Sequence, residues 1–147
     1  MDPSENERRP SVKLHLALLA SLALYGLLLV QIRARLSAND AVPVPRTNLF
    51  LPMLVVGAVQ FAVFSMVARR LLRSPTGPPA SRARMQFLLR AVSAEVIALL
   101  GLMIGFQGAP MLEAGALFAL SLSAMLASFP TREAWQNALR QAQIPGS

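Results

Sequence analysis

The chain has 147 residues, of which 54% are hydrophobic and only 14% are charged. A soluble domain carries about 25% charged residues, so this composition excludes an ordinary soluble domain. With no cysteine and a single histidine, His15, the chain excludes disulfides, thiolate metal sites and a haem held by two histidines. It also has no glycine-rich phosphate loop and no paired carboxylates, and we therefore predict no cofactor, no metal site and no enzymatic activity.

Four blocks of 19 or 20 residues are nearly free of charge, and they cover residues 14–32, 49–68, 87–106 and 111–129. A helix needs about 20 residues to cross a hydrocarbon core of roughly 30 Å. Lipid also requires the backbone to satisfy its own hydrogen bonds, which favours helices. The sequence therefore predicts an all-α fold, a four-helix transmembrane bundle in which residues 1–147 form a single integral membrane domain.

The first block predicts a retained helix that follows an N-terminal tail, residues 1–13. Its 19 residues exceed the apolar region of about 7–15 residues in a secretory signal. Arg33 and Arg35 also follow it, where a signal peptide has small residues for cleavage.

The second helix is joined to the third, and the third to the fourth, by two connections whose sequences predict their structure. The connection over residues 73–84 is predicted to be irregular, because Pro75, Pro78 and Pro79 interrupt a helix. Residues 107–110, "QGAP", predict a tight turn with glycine at a helix end and proline at the start of the next helix. The third and fourth helices are thus expected to form a closely paired antiparallel hairpin.

Basic residues indicate the orientation. Eleven of the 14 Lys and Arg residues lie in the N-terminal tail, around the second connection and in the C-terminal tail, which a four-helix topology places on one side. The positive-inside rule predicts that both termini are cytoplasmic, with the positive charge attracting anionic lipid headgroups. The basic residues are dispersed over helix ends, so we predict no nucleic-acid partner.

The C-terminal segment, residues 131–144, predicts a short amphipathic helix with apolar residues at helical spacing. Trp135 lies near Arg132 and Arg140, a combination typical of the membrane interface. We expect an interfacial helix on the inner leaflet, and docking to a partner is the alternative.

Small residues form ridges on the last two spans. The third helix carries Gly101 and Gly105, and the fourth carries Gly115, Ala119 and Ser123 at four-residue spacing. Such ridges let helix backbones approach closely in lipid. They predict packing of the third helix on the fourth, or contact of one ridge with another subunit.

Glu95 lies near the midpoint of the third span, where a charge costs at least ~2.5 kcal/mol. Polar residues at similar depth occur on the other helices, among them Tyr25 with Ser21, Gln60, and Ser121 with Ser123. Glu95 could therefore be a neutral acid that hydrogen-bonds Gln60 or Tyr25, worth roughly 0.6–2 kcal/mol between helices. The alternatives are that Glu95 binds a proton or cation together with Gln60 and Tyr25, or that it contacts a headgroup or ligand.

The stretch "EVIALLG", residues 95–101, resembles the acid-bearing helix of rotary ATPase proteolipid c subunits, which typically reads E-A-L-x-I-Y-G-L. Arg73-Ser74-Pro75 likewise resembles the R-[QN]-P of that family's cytoplasmic loop, and the resemblance covers residues 69–110. It implies that Glu95 is the carboxyl that binds and releases the transported ion. The second helix departs from the family because it lacks repeated G-x-G spacing, and a further helix follows the acid.

The whole pattern, with 13 Arg to one Lys, also resembles small multi-pass membrane proteins of high-GC bacteria, which places the expected location in the cytoplasmic (inner) membrane. The leading hypothesis is a non-enzymatic accessory or structural subunit of a membrane complex, with Glu95 as a buried protonatable polar residue. Its partners would be the lipid bilayer and other membrane subunits or further copies of itself. The alternative is a proton- or cation-handling proteolipid-like subunit or small transporter that uses Glu95.

Overall fold

The structure is a computed structural model, and it describes residues 3–38, 48–73 and 76–143. These residues form five helices and no strand, so the predicted all-α fold is confirmed. The helices are α1 (Pro3–Ala38), α2 (Phe50–Arg73), α3 (Pro79–Phe106), α4 (Met111–Ala127) and α5 (Arg132–Gln143).

Three helices, α1, α2 and α3, are long and apolar enough to cross a membrane. Helix α4 has 17 residues, which rise about 25 Å at 1.5 Å per residue, the short end of the spanning range. A bend of 67° separates α4 from α5, and the two together make a fourth candidate span. The described residues therefore form a helical bundle with three to four membrane-spanning elements.

The helices extend beyond the predicted spans. Residues 3–13 of the predicted tail belong to α1, and α3 begins at Pro79 instead of near residue 87. The prediction of an irregular connection is wrong from Pro79 onward, because a proline at the first helical position loses no hydrogen bond. Residues 74–75 of that connection and residues 39–47, with Arg46, lie outside the described residues.

Helix α3 is the centre of the bundle. It contacts α1, α2, α4 and α5, whereas in the described ranges no Cα atom of α1 lies within 8 Å of a Cα atom of α2. Small side chains make this possible, since they let several backbones approach one helix. The buried small residues of α3 are Ala83, Ala91, Ser93, Ala94, Ala98, Gly101 and Gly105.

The two glycines of α3 lie at its closest contacts. A Cβ added at Gly101 would lie 3.1 Å from the Ala114 carbonyl oxygen and 3.1 Å from Leu117 Cβ, both on α4. A Cβ added at Gly105 would overlap the side chain of Leu29 on α1. Helix α3 therefore meets two neighbours through its glycines, α4 at Gly101 and α1 at Gly105.

The small-residue ridge of α4 does not face α3. A Cβ added at Gly115 would meet nothing within 4 Å, and Ala119 and Ser123 are exposed. The residues that α4 buries lie on a different face, about one position away along the chain: Ala114, Leu117, Ser121 and Met125. The ridge differs from the expected packing surface because lipid and protein interior are equally apolar, so residue size alone does not fix a helix's rotation.

Helix α5 packs against the ends of α2 and α3. Trp135 is only 1% exposed and stacks on Phe87, with ring centroids 5.9 Å apart. The predicted amphipathic helix is present, but its apolar face contacts Leu72 and Ala83 of its own chain. These contacts exist because α2 and α3 continue past the predicted spans and offer α5 an apolar surface.

One guanidinium joins these helix ends. Arg82 of α3 donates from Nη1 to the Leu72 carbonyl oxygen at 3.2 Å and from Nη2 to the Ala142 carbonyl oxygen at 2.7 Å. Leu72 and Ala142 lie in the last turns of α2 and α5, whose carbonyl groups have no acceptor role left inside the helix. Arg82 therefore caps two helix C-termini and places its positive charge at the negative ends of both dipoles.

Candidate functional site

Glu95 links α3 to α1 through two hydrogen bonds. Ser21 Oγ donates to Glu95 Oε1 at 2.7 Å, and Tyr25 Oη donates to the same oxygen at 3.1 Å. Residues four positions apart share one face of a helix, so Ser21 and Tyr25 present both hydroxyls to α3. The structure thus brings Glu95 and Tyr25 together, and it adds Ser21.

The Ser21 hydroxyl has a choice of acceptors. Its Oγ lies 2.7 Å from Glu95 Oε1 and 2.8 Å from the Leu18 carbonyl oxygen, yet a hydroxyl has one proton to donate. When that proton goes to Leu18, the Ser21 oxygen can accept a proton from a neutral Glu95. The geometry therefore accommodates a neutral Glu95 as well as a carboxylate. With a neutral Glu95, Tyr25 donates to Glu95, Glu95 donates to Ser21, and Ser21 donates to the Leu18 carbonyl oxygen.

Gln60 is not a partner of Glu95. It lies on α2, one turn after Gly57, and a Cβ at Gly57 would be 3.4 Å from Ile97 of α3. The Gln60 Oε1 atom is buried and has no hydrogen-bond partner in the described part of the chain. Gln60 and Tyr25 lie on two helices, α2 and α1, that both pack against α3 but whose Cα atoms stay more than 8 Å apart in the described ranges.

Glu95 is only half-buried. Leu99 and Met103 follow it at four-residue spacing and therefore lie on its face of α3. Both are exposed, with 42% and 37% of their surface accessible. The carboxyl therefore lies at the edge of an open apolar face.

Helix α4 is hydrogen-bonded to α3 at the residue next to Glu95. Ser121 Oγ of α4 donates to the Ala94 carbonyl oxygen at 2.6 Å, and Ser121 is fully buried. The sequence predicts that Ser121 lies at the depth of Glu95 but assigns it no role. The only feature that could have pointed to its hydrogen bond is a hydroxyl group in the middle of a membrane span.

The basic end of the bundle holds a second group of polar contacts. Arg8 Nη1 of α1 donates to the Pro130 carbonyl oxygen at 3.1 Å, in the elbow between α4 and α5. His15 is buried between the rings of Phe87 and Phe129, and its Nδ1 lies 3.1 Å from the Ser11 carbonyl oxygen. These contacts, together with those of Arg82, fasten α1, α2, α3 and α5 at one end.

The described residues bring no three His, Asp or Glu side chains together at metal-binding distance. Fold and hydropathy together are those of a helical multi-pass membrane protein, with a hydrogen-bonded carboxyl in the middle of its central helix. The chain matches no protein-family model, and comparisons with curated proteins and with solved structures find no similar one.

Proposed function

We propose that this chain is a non-enzymatic accessory or structural subunit of a membrane complex, in which Glu95 holds α1 against α3. The observation that supports this role is the pair of hydroxyl groups, from Ser21 and Tyr25, on one carboxyl oxygen. A polar group in lipid gains about 0.6–2 kcal/mol from such an interhelical hydrogen bond. A half-buried acid that already has hydrogen-bond partners on its own chain supports a structural role.

The proposed setting is the cytoplasmic membrane of a bacterium, with both termini on the cytoplasmic side. The end of the bundle that joins the start of α1, the α2–α3 connection and α5 carries most of the basic residues, including Arg8, Arg82 and Arg90. Retention of positive charge on the cytoplasmic side favours this orientation.

Two substitutions test the structural role of Glu95. Glutamine can accept from Tyr25 and donate to Ser21, so Glu95→Gln should change the free energy of unfolding in mixed micelles by less than about 0.5 kcal/mol. Glu95→Leu leaves both hydroxyls without that partner and should cost about 1–2 kcal/mol. Glu113→Gln, on α4, is the matched control for removal of a negative charge. An equal effect of the Gln and Leu variants would contradict the role.

An accessory subunit needs a partner, and the native mass of the extracted protein shows whether a partner is bound. The tagged chain, extracted gently from its own membranes, should migrate with larger unrelated subunits. Recovery of the chain alone, as a monomer, would contradict the accessory role.

A second candidate function is proton or cation handling by Glu95, as the proteolipid resemblance implies. The observation that favours it is the half-buried carboxyl beside exposed Leu99 and Met103, which leaves one side of the acid open. Under this alternative a hydrophobic carbodiimide should label Glu95, and the transported ion should slow the labelling. Glu95→Gln should then abolish ion coupling while the protein still inserts.

A further inference from the structure

A cavity of about 190 Å³ lies where α3 meets the elbow between α4 and α5. Polar side chains enter it from two helices: Gln86 and Arg90 from α3, and Asn137 and Gln141 from α5. The rings of Phe87 and Phe129 form part of its apolar wall. The lining residues on α3 end at Arg90, which precedes Glu95 in the sequence, and none of the described lining residues is acidic.

Among the described residues, Arg90 is the only charged one that lines the cavity. Its side chain is half-buried, and among the described residues its guanidinium has no hydrogen bond or ion pair. A guanidinium offers five N–H donors in a planar fork that matches the oxygens of a carboxylate or a phosphate. The cavity therefore supplies a cationic donor group that its own chain leaves unmatched.

Gln86 supplies an acceptor without a partner. Its side chain is 6% exposed, and its Oε1 atom is buried with no hydrogen bond in the described residues. An unsatisfied buried polar group costs about 1–3 kcal/mol, so nearly all such groups in proteins have partners. A ligand that donates a hydroxyl proton to Oε1 would remove this cost.

The location of the cavity and its lining residues indicate which class of ligand it binds. It lies at the end of the bundle where the basic residues collect, one turn inside the apolar part of α3. Basic pockets between membrane helices on the cytoplasmic side, where the proposed orientation puts this end of the bundle, bind anionic lipid headgroups. The side chains call for an anion beside Arg90 and a hydrogen-bond donor for Gln86 Oε1, and a phosphodiester with a glycerol head supplies both, the donor being its hydroxyl.

We propose that this cavity binds the phosphodiester of a hydroxyl-bearing anionic headgroup such as that of phosphatidylglycerol. Arg90 donates to the phosphate oxygens, and Gln86 Oε1 accepts from a headgroup hydroxyl. Asn137 and Gln141, which are exposed, provide amide N–H groups at the mouth. The site is independent of the role of Glu95 and of any subunit partner.

Native mass spectrometry of the purified chain in detergent, titrated with phosphatidylglycerol, tests the proposal. We expect one tightly bound lipid, and Arg90→Gln should weaken its affinity by about tenfold or more, the loss expected for a charge-assisted hydrogen bond. Arg84→Gln removes the same charge from an exposed arginine of α3 outside the cavity, and it should change the affinity less than twofold. Equal losses in the two variants would overturn the proposal, as would equal affinity for phosphatidylcholine.

Gln86→Glu keeps the test decisive if Arg90→Gln does not fold. It is nearly isosteric but places a negative charge in the cavity, so it should also lower the affinity about tenfold. Gln136→Glu, on the exposed side of α5, is its control and should bind like the wild type. If Gln86→Glu binds phosphatidylglycerol as well as this control does, the cavity is not the site.

The deacylated headgroup, glycerophosphoglycerol, separates the two sources of a phosphodiester. Displacement of the lipid by this soluble compound at comparable concentration would assign the site to a free phosphodiester. Failure of displacement, with the lipid still bound, would assign it to the membrane. If neither compound binds, the proposal is wrong.

Discussion

The Ser121 hydroxyl donates to the carbonyl oxygen of Ala94 across 2.6 Å, which ties α4 to α3 one residue before Glu95. Ala94 is fully buried, and so is Ser121. Because Glu95 in turn accepts from Ser21, three helices are joined within two consecutive residues of α3. These hydrogen bonds lie at mid-depth in the bundle, where no water competes for them.

Removal of the Ser121 hydroxyl should loosen the α3–α4 pair. Ser121→Ala is expected to lower the free energy of unfolding by about 0.6–1.7 kcal/mol, the range for interhelical hydrogen bonds in membranes. Ser123→Ala is the matched control, since Ser123 is exposed and donates to Ala119 of its own helix. Unfolding in mixed micelles measures both, and a larger loss in the control would contradict the assignment.

Alanine should have opposite effects at two glycines. At Gly101 a Cβ would come within 3.1 Å of the Ala114 carbonyl oxygen, and backbone cannot move aside as a side-chain tip can. Gly101→Ala should therefore cost about 1–3 kcal/mol as overpacking. Gly115→Ala meets open space and should be neutral or stabilise by up to about 1 kcal/mol through helix propensity. Thermal unfolding of the two variants compares them, and similar shifts would be inconsistent with this packing.

Arg82 should control the docking of α5. Arg82→Gln removes its charge from the C-terminal ends of α2 and α5, so α5 should detach more readily. Trp135 is the only tryptophan, and its emission reports this directly. We expect a red shift and faster proteolysis near residue 131 in Arg82→Gln. Arg84→Gln, whose side chain is exposed, should show neither.

Tyr25 and Glu95 should be energetically coupled. Tyr25→Phe removes the hydroxyl that donates to Glu95 Oε1 and should cost about 0.6 kcal/mol in the wild-type background. The same change should cost little in Glu95→Leu, because the acceptor is already gone. A double-mutant cycle measures the coupling, and strict additivity of the two changes would show that the hydroxyl does not act through Glu95.

The sequence predicted where the helices lie and how deep their residues sit in the membrane. It did not predict which face each helix turns toward its neighbours. Long uncharged blocks identify spans because a charge in lipid is costly, and Glu95 and Tyr25 lie at similar depth by counting residues alone. Which side of a helix faces its neighbour leaves little trace when lipid and protein interior are both apolar. For that reason neither the outward rotation of the Gly115 ridge nor the separation of Gln60 from Glu95 could be foreseen.

The ends of the helices were less predictable than their centres. Pro79 was expected to interrupt a helix and instead begins one, since both roles suit proline and only the neighbouring structure decides between them. The burial of Trp135 follows from the same extension, because α2 and α3 then reach far enough to cover it. Arg82 carried no sequence signal that distinguished it from Arg84.

The contact of Arg8 with Pro130 joins residues 122 positions apart, and this separation has a consequence for biosynthesis. At about 5–20 residues per second, a ribosome needs on the order of ten seconds to add the second partner after the first. During that interval Arg8 lacks its carbonyl acceptor, and Phe87, once it has been made, lacks Trp135. A half-made chain therefore displays an unfinished end, which a membrane chaperone could shield or a quality-control protease could recognise until α5 emerges.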